Sequence, residues 1–302
     1  MQLDSTVSAK GLDLKEKRNT SALSQQLKSY TLHPGSGILA LVTVGAAVIT
    51  FAVLVFLVTY ILVKGIPYIN TELFALEYTS ENVSLLPSLI NTFVMTLLSL
   101  LIATPLGIFA SIYLVEYAKK GSKFVSLIRL TAETLSGIPS IVYGLFGMLF
   151  FVTTLGLGLS LLSGSLTMVI MILPLIMRTS QEALRSVPDS YREASFGLGA
   201  GKLRTIFTIV LPSAVPGILA GVILAIGRVV GETAALLYTS GTVAQVPENL
   251  LGSGRTLALH MYVLSNEGLH MNQAFATAVI ILIFVLGINA LSGFAASHIK
   301  KG

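Results

Sequence analysis

Residues 38–63 read ILALVTVGAAVITFAVLVFLVTYILV, 26 positions without a single charged side chain. A helix needs about 20 apolar residues to cross the hydrocarbon core of a bilayer, so this run is long enough to span. Working outward, further apolar runs lie at about 90–114, at about 138–161, at 165–177, from Pro212 to at least Val230, and at 274–296. The second carries Pro105 and Gly107, which a bundled membrane helix tolerates. The run at 165–177 is short for a span unless flanking residues join it. The pattern predicts an all-α polytopic membrane protein with six transmembrane helices.

Composition agrees. Of 302 residues, 54% are hydrophobic and 11% charged, with a mean hydropathy of +0.84. Soluble domains average about 25% charged residues, so an ordinary soluble core is excluded and lipid must act as the second solvent. The chain has no Cys, which removes disulfides, thiolate metal sites and Cys nucleophiles. Its four His (His33, His260, His270, His298) are scattered, so no metal site is expected. Ser, His and carboxylates are never grouped for catalysis, and no catalytic residue is assigned. Met1–Pro34 lacks an apolar segment and reads as a tail, not a cleavable signal peptide.

Basic residues test the layout. The tail holds Lys10, Lys15, Lys17, Arg18 and Lys28; the loop after the second run holds Lys119, Lys120, Lys123 and Arg129. Arg178, Arg185, Arg192, Lys202 and Arg204 follow the fourth run, and Lys300 and Lys301 end the chain. On the six-span layout these 16 of the 19 Lys and Arg share one side, with Lys64 and Arg255 opposite and Arg228 inside a span. Positive residues stay cytoplasmic, so both termini are expected inside and the chain in the cytoplasmic (inner) membrane. The net charge of +5 is then topology and not a nucleic-acid footprint. Gly217-x3-Gly221, Gly227-x3-Gly231 and the Gly144/Gly147 pair mark close helix contacts of the kind common in apolar bundles.

The basic segment Arg178–Leu211 is the most informative loop. Pro188-Asp189-Ser190 ahead of Tyr191-Arg192-Glu193-Ala194 reads as a helix start, because an acidic or hydroxyl residue satisfies first-turn amides. Gly197, Gly199 and Gly201 break that helix, and a second amphipathic piece, Leu203–Val210, leads to Leu211-Pro212. Two short helices at an angle on the cytoplasmic face are expected, either docking a soluble partner or resting on the headgroups. Gly197-Leu198-Gly199-Ala200-Gly201-Lys202 is no phosphate loop, since Phe196 and Leu203 stand where Gly and Ser/Thr are required. A dinucleotide fingerprint fails too, its third Gly falling one residue early.

Glu193-Ala194-Ser195, three residues, Gly199, nine residues, then Ile209-Val210-Leu211-Pro212 resembles the cytoplasmic signature of bacterial ABC importer permeases. Ser195 in place of a second Ala is the only departure. The resemblance implies a type I permease fold and an ATPase-coupling role for Glu193, Ala194, Gly199, Ile209, Leu211 and Pro212. Gly227-Arg228-Val229-Val230-Gly231-Glu232-Thr233, together with 212–218 and 137–147, is similar to phosphate importer permeases, nearer the PstA type than the PstC type. Charge and hydropathy set off a cytoplasmic tail at 1–37 and a first transmembrane helix at 38–63, neither diagnostic of the family; the resemblance covers about Asn91–Phe294 and implies an importer core at 90–296 with its coupling loop at 188–212. The implied partners are a homologous second permease (PstC type), two copies of an ATP-binding subunit (PstB type), an extracytoplasmic phosphate-binding protein (PstS type) and the lipid bilayer. ATP and Mg would be used by the partner ATPase, with no cofactor on this chain. Phosphate import is the implied function; another oxyanion (molybdate, sulfate, phosphonate) or an ATPase-independent carrier or channel are the alternatives.

Arg228 carries a physical argument of its own. An Arg within a span is costly and usually faces a cavity or partner. Its planar donors suit a dehydrated phosphate, and Glu232, one helical turn on, would restrain it. Snorkelling to the surface with a local ion pair is the other reading. Thr233 is a hydroxyl candidate for the same pathway. Arg178 is a weaker one, with pairing to Glu182 as its plainer role.

Overall fold

The computed structural model describes residues 34–119 and 121–299. The expected tail, except for its last four residues, and the basic residues Lys120, Lys300 and Lys301 lie outside the described residues. No strand occurs among the described residues, and five helices are long and apolar enough to cross a membrane. The chain divides into two compact units at Tyr60/Ile61. The first contains most of helix α1 (Pro34–Gly65), whose apolar side chains, from Ile38 to Tyr60, are exposed on every side. A helix apolar all round belongs in lipid or against another apolar partner.

In the second unit, α2 (Leu86–Ile112) continues through a π-helical turn at Tyr113–Tyr117. Next come α3 (Lys123–Ser136) and α4 (Ser140–Gly147), α4 again extended by a π turn at Met148–Thr154. After α5 (Leu161–Ser186) stands the short α6 (Asp189–Gly197). The first turn of α7 (Lys202–Thr205) runs through π residues Ile206–Val210 directly into α8 (Leu211–Val230). Short α9 (Ala234–Leu237), α10 (Leu257–Glu267) and the long α11 (Met271–Ile299) complete the chain.

Three expectations need correction. The third run is not one straight span over 138–161: its helix begins at Lys123 and bends by 103° between α3 and α4, with residues after Thr154 non-helical. Pro139 lacks the N–H a continuous helix requires, and Gly137 ends α3, so the break is built in. The fourth span is not 165–177 but 26 residues, because Ser160 caps it, its hydroxyl accepting from Ser163 N–H at 3.2 Å, and Arg178–Ser186 stay helical. Finally, Leu203–Val210 is no separate short helix; it is the first part of one continuous span, 202–230.

α5 is the central helix. Two thirds of its apolar window (67%) is buried, against 28% for α2 and for 202–230. In lipid no hydrophobic gain drives helices together, so close packing of small residues and interhelical hydrogen bonds must do so. Both occur here. A Cβ on Gly107 would stand 2.7 Å from Ile176, one on Gly217 2.7 Å from Ala183, and one on Gly221 would collide with Thr179. Ser99 Oγ donates to the Ser165 carbonyl at 3.2 Å and Ser111 Oγ to that of Met177 at 2.8 Å, stitching α2 to α5. Met95, Met168, Ile172, Ile176, Val229 and Leu259 fill the core between these helices.

The unit has two distinct ends. At one, the Tyr113–Tyr117 turn, the end of α5, α6 and the start of 202–230 meet. At the other, the segment after α8 lies over the starts of α2 and α5. There Ser160 N–H donates to Thr239 O (3.0 Å), Leu161 N–H to Gly252 O (3.0 Å), and Asn91 Nδ2 to Gln245 O (2.8 Å).

Candidate functional site

The first end carries an exposed knob built from α6 and the turn that follows. Asp189 stands in the first turn of α6, where its charge favours the helix dipole. Gly199 ends it at φ +82°, a conformation that costs Gly little and side-chain-bearing residues more. Glu193 and Ala194 are exposed on α6, and Gly199 is exposed at the turn. Ile209 is half-buried, Leu211 packs against the Leu184/Val210 cluster, and Pro212 is exposed at the start of α8. A cleft of about 510 Å³ between the two arms is lined by Tyr191, Ala194, Leu198, Gly199, Arg204 and Ile209. Leu198 at its rim is 90% exposed, an apolar tip that only a partner or lipid would cover.

The knob is clamped. Arg192, 13% exposed, forms an ion pair with Glu116 (9% exposed) at 2.8 Å and donates through Nη1 to Val187 O (2.8 Å) and through Nη2 to Leu184 O (2.9 Å). Asp189 accepts from Nη1 as well, at 3.1 Å. One side chain therefore joins α6 to the carbonyl end of α5 and to the π turn of α2. The two arms are tied together where Ser195 and Thr205, both buried, hydrogen-bond through their hydroxyls at 2.8 Å. The one departure from the signature thus has a partner waiting for it. Lys202 adds a contact over the Tyr117 ring at 4.8 Å. Beside the clamp a half-open cavity of about 980 Å³ is lined by Lys119, Arg129, Arg185 and Glu133 among others.

The expected pathway residues do not form one group. Arg228 is half-buried on the last turn of α8, and Tyr143 of α4 lies within its electrostatic reach. Glu232 is buried but does not hold Arg228. Its Oε1 accepts from the Ala235 N–H at 3.1 Å, and no ion pair joins the two residues. After Gly231 the chain leaves the helix, so the one-turn spacing on which that pairing relied no longer applies. Thr233 is half-buried at the start of α9. Arg178 sits near the knob end of α5, exposed and paired with Glu182 at 3.2 Å. The Glu182 pairing expected of it is present.

Three features escaped sequence reasoning. Arg192 and Glu116 are 76 positions apart, and nothing in either local pattern pairs them. Leu198, between Gly197 and Gly199, was assigned no role. The third is at the opposite end, where Arg255, counted as an outer loop cation, is 4% exposed, with its guanidinium 4.7 Å over the Tyr78 ring. His260, fully buried, faces Tyr78 edge-on with centroids 6.1 Å apart. Burial, and then the Arg255 charge, lower the His260 pKa to about 3, so the ring is neutral. Among the described residues, no three His, Asp or Glu cluster in a way that would hold a metal ion.

Comparison with known proteins places this geometry. The family described as "Binding-protein-dependent transport system inner membrane component" matches residues 103–301. The chain is 33% identical over 273 residues to a probable ABC transporter permease protein, YqgI, of Bacillus subtilis, covering 84% of this chain and 92% of that one. It is 38% identical over 205 residues to the phosphate transport system permease protein PstA of Mycobacterium leprae, covering 67% of each. Among solved structures, a bacterial alginate ABC transporter aligns with TM-score 0.65 at 16% identity, covering 87% of this chain and 95% of that one. The inward-facing MetNI methionine ABC transporter aligns with TM-score 0.56 at 20% identity over 70% and 93%. At those identities the likeness establishes fold, and the fold is that of ABC importer permeases.

Proposed function

The chain belongs to the family of binding-protein-dependent transport system inner membrane components, and from that premise we propose that it is a permease subunit of an ATP-driven phosphate importer. Phosphate as the cargo is supported by relatives named as phosphate transport permeases at 38% and 36% identity. The observation that carries the coupling role is the knob: an exposed, apolar-tipped projection clamped by Arg192 to two spanning helices. Such a part suits a dock for a separate ATPase subunit. Glu193, Ala194, Leu198 and Gly199 meet the ATPase; Ile209, Leu211 and Pro212 carry its motion into α8.

In this reading a second, homologous permease completes the pathway, two ATP-binding subunits hold ATP and Mg, and an extracytoplasmic binding protein delivers phosphate. The knob end, where the basic residues gather, is cytoplasmic, and both termini are inside. ATP draws the two docks together and shifts the transmembrane helices between inward- and outward-open states; hydrolysis resets them. This subunit contributes mechanics and electrostatics, with Arg228 as the anion's guanidinium in the pathway.

Reconstitution tests the reading. The complete complex in liposomes with labelled phosphate is expected to show ATP-dependent uptake that excess molybdate, sulfate or phosphonate does not compete away. Uptake of one of those ions in place of phosphate would reassign the cargo. Uptake without ATP would make the chain a carrier or channel.

A further inference from the structure

Among the described residues Arg255 is a buried cation without a counter-ion. Its backbone is fixed, N–H to Val243 O at 2.9 Å and C=O to Asn91 Nδ2 at 3.2 Å. Its side chain is not: Nε and Nη2 are buried and have no hydrogen-bond partner, and no carboxylate pairs with it among the described residues. An uncompensated buried charge is strongly destabilising, and buried donors are almost always satisfied. Tyr78 covers the flat face but supplies no acceptor to the edge.

The identity of the vacant atoms is informative. Nε and Nη2 project their hydrogens from the same edge of the guanidinium, the fork that takes two oxygens of a phosphate or carboxylate side by side. Other buried groups at this end are vacant as well. Neither ring nitrogen of buried His260 makes a hydrogen bond of ordinary geometry, although the Val83 backbone still favours its protonated form. Oδ1 of Asn91, whose amide already holds the Arg255 carbonyl, also lacks a partner. A neutral imidazole offers one donor and one acceptor, and Oδ1 offers an acceptor. Free donors and free acceptors together suit a tetrahedral oxyanion that still carries a proton.

We propose that Arg255, His260 and Asn91 form a binding site for a protonated tetrahedral oxyanion, with Tyr78 against the face of the guanidinium. Resting on the reading above, its ligand is inorganic phosphate, held apart from Arg228 on the segment leading into α10. All three residues are sealed, at 4%, 0% and 1% exposure, so the ion enters only when the protein opens around them. Sulfate, with no proton to donate at neutral pH, leaves the acceptors unmet and binds more weakly.

The test uses the complete complex in nanodiscs, without binding protein, probed with inorganic phosphate. Its melting temperature is measured with and without phosphate, beside uptake by the reconstituted complex. Arg255→Lys keeps the charge and loses the fork. It is expected to abolish the phosphate-induced shift, measured in an Arg228→Gln background so that Arg228 does not contribute, and to raise the uptake KM at least tenfold. A phosphate shift that survives Arg255→Lys, or a shift as large with sulfate as with phosphate, overturns the site while leaving the transport reading intact. Absence of wild-type phosphate uptake overturns the transport reading, and the shift measurement then still judges the site. Should Arg255→Lys fail to assemble, His260→Leu removes a donor without touching the charge, and an unchanged phosphate shift in that variant refutes the proposal.

Discussion

At the scale of single residues, Arg228 and His260 make separable claims. Arg228 is half-buried, makes no ion pair among the described residues, and ends a helix whose other end joins the knob. Arg228→Gln is expected to abolish phosphate uptake by at least a hundredfold while the complex still assembles, as judged by uptake in liposomes beside co-purification of the subunits. His260 makes a claim about pH. Its folded pKa of about 3 lies below the ordinary value near 6.5, so between those values the unfolded chain holds a proton that the folded chain refuses. The stability it contributes is therefore complete above pH 6.5 and is lost as pH falls, at about 1.4 kcal/mol per unit. The melting temperature of the complex is expected to drop between pH 6.5 and 4.5, and His260→Asn to flatten that drop. Neither His260 nor Arg255 was legible as buried, since outer loops are ordinarily solvated; here the loop lies over α2, and Asn91 and Thr92 hydrogen-bond it from beneath.

At the scale of elements, the clamp and the glycine crossings carry the weight. Arg192→Met leaves the Glu116 carboxylate mostly buried without its cation, which costs about 3 kcal/mol. Uncoupled ATP hydrolysis is expected in that variant, read as ATPase activity without matching uptake. Exchanging the charges (Arg192→Glu with Glu116→Arg) is expected to restore part of the coupling, which a merely local packing role would not. Where α8 crosses α5, Gly221→Val would drive its side chain into Thr179. Overpacking of this kind costs about 1–3 kcal/mol and is expected to lower the melting temperature. Apolar runs were enough to locate α1, α2, α8 and α11. They failed at α3 because its Lys123, Arg129 and Glu133 dilute the run, and at the end of α5 because Arg178 and Glu182 look like loop residues while standing on an exposed helical face. The continuity of 202–230 was hidden by Pro212, which sits where α8 follows a π turn and does not stop the helix.

At the scale of the whole molecule, two specialised ends are joined by three tightly packed helices, α2, α5 and α8. The signature from Glu193 to Pro212 and the motif around Arg228 were both readable because each is local in sequence. What relates them is three-dimensional: α8 runs from one to the other, and α5 packs along it. Glu193→Lys at the dock is expected to leave insertion and subunit assembly unchanged yet suppress uptake at least tenfold, measured beside ATP turnover in the same liposomes.

The double grip of Arg192 on the carbonyl end of α5 and on the α2 carboxylate leaves the knob little play of its own. A linkage without backlash conducts load in either direction, and equilibrium coupling between two sites is equal seen from both. On the function proposed above, any preference that docking confers on the far end for an anion is matched by an equal preference that the anion confers on the knob for its partner. Cargo at one end would then change how tightly the partner is held at the other, with no separate sensor between them.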